Sequence, residues 1–172
     1  MKKLKLRDIT LMASVACGLI QNGAQLFAVS IIARTVSKAP PRSFAIFTGE
    51  YPYDSRAFWD TVPMITFALF VIALIANWKT ARRKYLLLTL ALFIAGGLIA
   101  GLYLEPTFDD MIARGYADYI DPAMQHEAAT WYMVDCASWA LGFIASLSLL
   151  VALVLPAETT TPNQRDTEVT SA

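Results

Sequence analysis

The sequence predicts an all-α fold: a polytopic membrane protein built as a four-helix transmembrane bundle, with its N-terminus and C-terminus in the cytoplasm. Composition, segmentation and charge placement lead there. The 172 residues are 56% hydrophobic and only 16% charged, with a mean hydropathy of +0.48, well away from an ordinary soluble domain. The apolar residues gather into runs at about 9–33, 60–77, 85–104 and 130–155, each near the ~20 residues that cross a ~30 Å hydrocarbon core as a helix. The basic residues concentrate at one side of these runs. Formal net charge is zero, so no nucleic-acid partner is expected.

Span 1 follows Lys2, Lys3, Lys5 and Arg7. Its apolar run is longer than the roughly 7–15 residues of a signal-peptide core, and Gln21, Asn22 and Gln25 interrupt it. It is therefore expected to be a retained helix. At about 100° per residue, Leu11, Ser14, Gly18, Gln21, Asn22, Gln25 and Val29 form one stripe. Amides facing lipid would stay unpaired at a cost of several kcal/mol each, so the stripe is expected to face the bundle interior. Several readings are open there. The amides are interhelical glue, satisfied by Ser138, Ser146 or backbone carbonyls at ~0.6 kcal/mol per bond, or they line a cavity for a small molecule, water or an ion.

Span 2 can be extended by Phe58 and Trp59, with Pro63 expected in its first turn, where a missing N–H costs nothing. Lys79, Arg82, Arg83 and Lys84 fill the short link to span 3. Span 3 carries Gly97-x3-Gly101, a spacing expected at a helix contact. On span 4, Trp131, Asp135, Ser138, Trp139, Gly142 and Ser146 share a face.

The connection from Glu105 to Ala129 has Arg114 against Glu105, Asp109, Asp110, Asp118, Asp121 and Glu127. The positive-inside rule then puts both termini and the 79–84 link in the cytoplasm, as a multi-pass protein of the inner (plasma) membrane. Loop 1, residues 34–59, carries Arg34, Lys38, Arg42 and Arg56 and dissents; the other connections agree. Trp59, Trp78 and Trp131 fall at span boundaries, as an aromatic belt does. FTGEYPYDSRAFW, Phe47 to Trp59, is expected to be an ordered loop over the bundle mouth. Thr107 to Met124, with Met111, Ile112, Tyr116 and Tyr119, is expected to be a short amphipathic helix on the membrane surface. The polar, Thr-rich segment 157–172 is expected to be disordered.

This topology gathers Arg34, Asp60, Glu105, His126, Tyr132 and Asp135 at the outer end. An ionisable residue inside a span is a functional hypothesis with a partner to name. Arg34 is the expected partner of Asp135 or Glu105, and Arg56 a second candidate. A carboxyl group in an apolar cavity is suited to general acid–base work, and so is a histidine beside it. Asp135 and His126 are thus the candidate catalytic residues. Gln21, Asn22, Gln25, Arg34, Glu105, Tyr132 and Trp139 are the candidate substrate-binding residues. A metal site would need His126 with two or three of Asp60, Glu105, Glu127 and Asp135, and no spacing supports one. No metal and no cofactor is expected. Cys17 and Cys136 lie at depths about 10 Å apart, beyond disulfide reach.

The long first loop ending Phe58-Trp59, the span ending Tyr103-Leu104-Glu105-Pro106 and Trp131-x3-Asp135 resemble the anthrone-oxygenase-like family of small four-helix membrane proteins, across spans 1 to 4. The resemblance implies cofactor-independent oxidation of an apolar aromatic or quinone-like molecule. Asp135 or His126 would be the base, and the span 1 amides would bind the substrate's oxygens. The competing expectation is a non-catalytic accessory, assembly or immunity protein. The two readings differ in one physical requirement. A ligand pocket needs a cavity of at least ~300 Å³ among these residues; an accessory role needs only satisfied polar groups. Partners expected from sequence are membrane lipid, an apolar ligand and, in one arrangement, further copies of the chain. A transporter is disfavoured because no inverted repeat is visible.

Overall fold

The computed structural model describes residues 5–156 and consists of helices joined by short connections, with no strand among the described residues. The segment expected to be disordered, 157–172, lies outside them. Helices α1 (Leu6–Val36), α2 (Arg56–Ala76), α3 (Arg83–Ala113) and α4 (Pro122–Val154) are each long and apolar enough to cross a membrane. They pack in a ring, α1 against α2 and α4, and α3 against α2 and α4.

The expected stripe on α1 is its buried face: Leu11, Ser14, Gly18 and Val29 are buried, and the three amides are half-buried between them. Small and hydroxyl side chains set the close approaches. A Cβ on Gly18 would come within 3.1 Å of Leu149 and 3.4 Å of Phe70, so glycine there lets α1 sit against α4 and α2. The Ser14 hydroxyl reaches the Leu69 carbonyl of α2 at 3.0 Å. Thr89 on α3 reaches the Ala145 carbonyl of α4 at 3.3 Å, and Ser148 on α4 returns a bond to the Tyr85 carbonyl at 2.9 Å. In an apolar surrounding these bonds hold helix pairs in register, each contributing ~0.6 kcal/mol.

Two apolar cores result. The first, around Leu11, Phe70, Leu74, Leu86 and Leu149, fills the half of the bundle nearer the basic turn. The second joins Ala33, Val36, Phe44, Leu104, Met111, Met124 and Trp131 at the other end, because loop 1 folds inward. A 3-10 turn at Arg42–Phe47 buries Phe44, and Phe47 meets Phe108 edge-on at 5.4 Å. Pro40 accepts from the Asp121 N–H at 2.9 Å, and the Lys38 carbonyl accepts from Gln125 Nε2 at 2.8 Å. Loop 1 is thereby fastened over the ends of α3 and α4. Asp121 caps α4, accepting from the Ala123 and Met124 N–H groups ahead of Pro122 at the first helical position. Arg114 bridges Asp110 and Glu127, whose carboxylates hold its guanidinium above the ordinary arginine range. Gly115, at φ 79°, ends α3.

Several expectations change. Pro63 is not in a first turn: α2 begins at Arg56, so the proline sits inside the helix and removes its own bond to the Trp59 carbonyl. Gly97 and Gly101 are not at a helix contact; nothing lies within 4 Å of a Cβ built on either. Gly96 is the one turned to α4, towards Ser138. Trp131 is not a belt residue. It is buried, donates from Nε1 to the Leu104 carbonyl at 2.9 Å and stacks on Phe108 at 5.2 Å. Residues 107–124 do not form a separate surface helix: α3 runs on to Ala113 with Met111 fully buried, and Tyr116 and Tyr119 stand exposed in the link to α4.

Both α1 and α3 widen into a π turn in the same half of the bundle, at Ala28–Ala33 and Ala100–Leu104, and both turns pack against α4. The second has a visible cause. Pro106 has no N–H to give the α3 ladder, and Glu105 N–H bonds back to Ala100, five residues earlier. At the end of this turn the Leu104 carbonyl accepts from Trp131 Nε1.

Candidate functional site

Between α1 and α4 the polar residues form a single seam. The Gln25 side chain lies against the Asp135 carboxylate. One turn towards the basic end, Asn22 Nδ2 points to the Trp139 carbonyl at 3.5 Å, the outer limit of a hydrogen bond. Gly142 faces both amides: a Cβ there would stand 2.9 Å from Asn22 Nδ2 and 3.7 Å from Gln25 Oε1. Glycine is needed at 142 because the amides occupy the space a side chain would take. Ser146, expected to satisfy an amide, instead donates to its own Gly142 carbonyl at 2.9 Å.

Gln21, Asn22, Gln25, Thr66, Gly142 and Ser146 line a cavity of about 30 Å³, closed by Phe70 and Phe93. A single water needs ~10–15 Å³ of such space, so the cavity holds one or two waters and not a drug-sized ligand. Gln21 Oε1 is buried there with no partner, and Trp139 Nε1 on the same face of α4 is a buried donor with none. The cavity of at least ~300 Å³ expected among these residues is not present in this conformation. A space of about 350 Å³ does lie between α3 and α4, but it is an open apolar groove lined by Leu98, Ile99, Leu102, Tyr103 and Val134.

The expected outer cluster is only partly assembled. Asp135 is half-buried and, among the described residues, has no cation in ion-pair contact. The Tyr132 hydroxyl lies against the Cys136 thiol one turn on, and Arg34 and Asp135 are within electrostatic reach of it. Arg34 pairs with neither Asp135 nor Glu105; both Arg34 and Glu105 are exposed. Arg56, the second candidate, pairs with Asp109 at 3.5 Å. Asp60 is exposed. His126 is exposed and nine residues before Asp135 on one helix, hence about 13 Å away along the axis. They cannot share a proton-transfer step, because α4 starts at Pro122 and keeps both on one rigid rod. Among the described residues no three His, Cys, Asp or Glu side chains converge as metal ligands. Cys17 and Cys136 are free thiols.

A second polar cluster closes the opposite end. Arg82 is buried, with Nη1 2.7 Å from Asp8 Oδ1 and Nε donating to the Leu155 carbonyl at 3.0 Å. Asn77, fully buried, gives Nδ2 to the Arg7 carbonyl at 3.3 Å. This clasp ties the start of α1, the α2–α3 turn and the end of α4 together. In the sequence Arg82 is one of four cations in a short link. The only signals of its separate role are Asp8, the lone acid among N-terminal cations, and Asn77 at the end of an apolar run. Comparison with protein-family models, curated proteins and solved structures finds no match for this chain.

Proposed function

We propose that the chain is a multi-pass protein of the inner (plasma) membrane, with both termini and the 79–84 turn in the cytoplasm. In this reading the Asp135 seam binds a small molecule with an apolar body and a polar head. The orientation follows the positive-inside rule: cations crowd the end that holds Arg7 and Arg82, and carboxylates the end that holds Asp109, Asp110 and Asp118. The carrying observation is an intramembrane carboxylate with no cation in contact among the described residues, on the same seam as a buried acceptor, Gln21 Oε1, and a buried donor, Trp139 Nε1, that both lack partners among those residues. Buried polar groups left unmatched cost about 1–3 kcal/mol each, and a ligand head group or water that matches them recovers that energy.

In the catalytic form of this reading the protein acts as a cofactor-independent oxygenase. Asp135 takes a proton from a carbon flanked by aromatic rings. The carbanion passes its electrons to dioxygen, and the carbon leaves as a carbonyl with release of water. Gln25 and Asn22 hydrogen-bond the substrate's oxygens. Ligand entry requires α1 and α4 to part by more than the present cavity allows, and the π turn at Ala28–Ala33 in the outer half of α1 is a register change available for it. The test is dioxygen consumption by the purified protein with a hydroxylated anthrone. Turnover that is lost in Asp135→Asn while the melting temperature holds supports the reading. Equal rates in the two proteins contradict it.

A second reading, a non-catalytic accessory protein, is favoured by the cavity of about 30 Å³. There the amides and Asp135 only fasten α1 to α4, and one or two waters complete the seam.

A further inference from the structure

The Arg82 end of the bundle carries Lys5, Arg7, Lys79, Arg82, Arg83 and Lys84 against one carboxylate, Asp8, among the described residues. Asp8 is taken by Arg82. Among the described residues none of the other five makes an ion pair. Their depth is fixed by aromatic rings. The Arg83 guanidinium lies 5.3 Å over Trp78 and Lys84 Nζ 5.0 Å over Tyr85. Trp78 is itself 49% exposed at the end of α2. Indole and phenol rings settle at the headgroup level of a bilayer, so these cations stand at phosphate depth. Asn77 brings Arg7 to the same place through its bond to the Arg7 carbonyl, and Arg7 Nε is a buried donor with no partner.

We propose that Arg7 and the 79–84 turn form a binding site for the phosphate headgroup of an anionic phospholipid. Arg82 is consumed by Asp8 and Leu155, and its work is to hold the turn against α1. Arg7, Arg83, Lys84 and Lys79 remain to receive the phosphate. A bilayer presents that phosphate continuously at the depth of the rings, which a free anion in solution does not. The carboxylates Glu158, Asp166 and Glu168, outside the described residues, are the competing occupant.

The test is native mass spectrometry of the full-length protein in mild detergent, with phosphatidylglycerol and phosphatidylcholine added in equal amounts. The wild type retains phosphatidylglycerol at least about tenfold better, and the preference shrinks as salt rises. Arg7→Gln lowers it roughly fivefold, and the Arg83→Gln/Lys84→Gln pair more, at about fivefold for each cation removed near the surface. Lys38→Gln, at the other end of the bundle, leaves it unchanged. Equal retention of both lipids by wild type overturns the proposal without reference to any variant. So does a Lys38→Gln effect as large as that of Arg7→Gln, or displacement of the lipid by millimolar inorganic phosphate. A gain of more than about tenfold on neutralising Glu158, Asp166 and Glu168 together assigns the site to the chain's own carboxylates instead.

Discussion

Asp8 and Arg82 meet at 2.7 Å, across 74 residues of sequence, in an ion pair whose arginine is almost fully buried. The pair closes one end of the bundle. Its hydrogen bond to Arg82 holds the Asp8 carboxyl, which precedes the apolar run, below the ordinary carboxylate range. The folded value lies under the unfolded one, so the stabilisation is complete above the unfolded value of about 3.9 and is lost as pH falls through the lowered folded one. Thermal melting in detergent is expected to drop below about pH 4 in wild type, with a smaller drop in Asp8→Asn.

At neutral pH, Asp8→Asn leaves the Arg82 charge buried without its counter-ion. The expected cost is about 3 kcal/mol, the low end of the range for breaking a buried pair, because Asp8 keeps 26% of its side chain in solvent. Chemical denaturation of the two proteins side by side measures it. A difference under about 0.5 kcal/mol means that the clasp does not hold the end closed.

Trp131→Phe keeps an aromatic ring to stack on Phe108 but removes the donor to the Leu104 carbonyl. The buried Leu104 carbonyl then loses its side-chain donor, at about 0.5–1.5 kcal/mol. Faster amide exchange is expected around residues 100–108, without change at the Arg82 end.

Gly142→Ala and Gly97→Ala separate the two glycine environments. The first drives a methyl group to 2.9 Å from Asn22 Nδ2 and pushes that amide off the Trp139 carbonyl, for about 1–3 kcal/mol. The second meets nothing in the single chain and is expected to change stability by less than about 0.5 kcal/mol. If copies of the chain associate through the Gly97-x3-Gly101 face, Gly97→Leu shifts the oligomeric state by analytical ultracentrifugation while Gly142→Ala does not.

The helices and the inward stripe of α1 were legible because both follow from hydropathy and a 3.6-residue period. What local pattern could not reach was the pairing of distant residues. Gly97-x3-Gly101 has the right spacing for a contact, but α3 packs on α4 with Gly96 turned to Ser138 and Gly97 turned away, a rotation that spacing alone does not give. Trp131 at a span boundary reads as a belt residue until α3 is seen to run past Leu104 and cover it. His126 and Asp135 fall near each other in sequence, and the helix that contains both is what keeps them apart. The amides were visible from the start; that they leave room for only one or two waters depends on Phe70 and Phe93, on two other helices.

The most direct test of the central claim, that the Asp135 seam is a ligand site and not only glue, is native mass spectrometry with metabolite identification on the mildly solubilised protein. Wild type is compared with Gln25→Leu and Asp135→Asn. The account predicts a small quinone- or polyketide-like molecule with a phenol or carbonyl head, retained by wild type and absent from both variants. Wild type carrying nothing but bulk lipid, with both variants only lowered in melting temperature, contradicts it and leaves the seam as the fastening between α1 and α4.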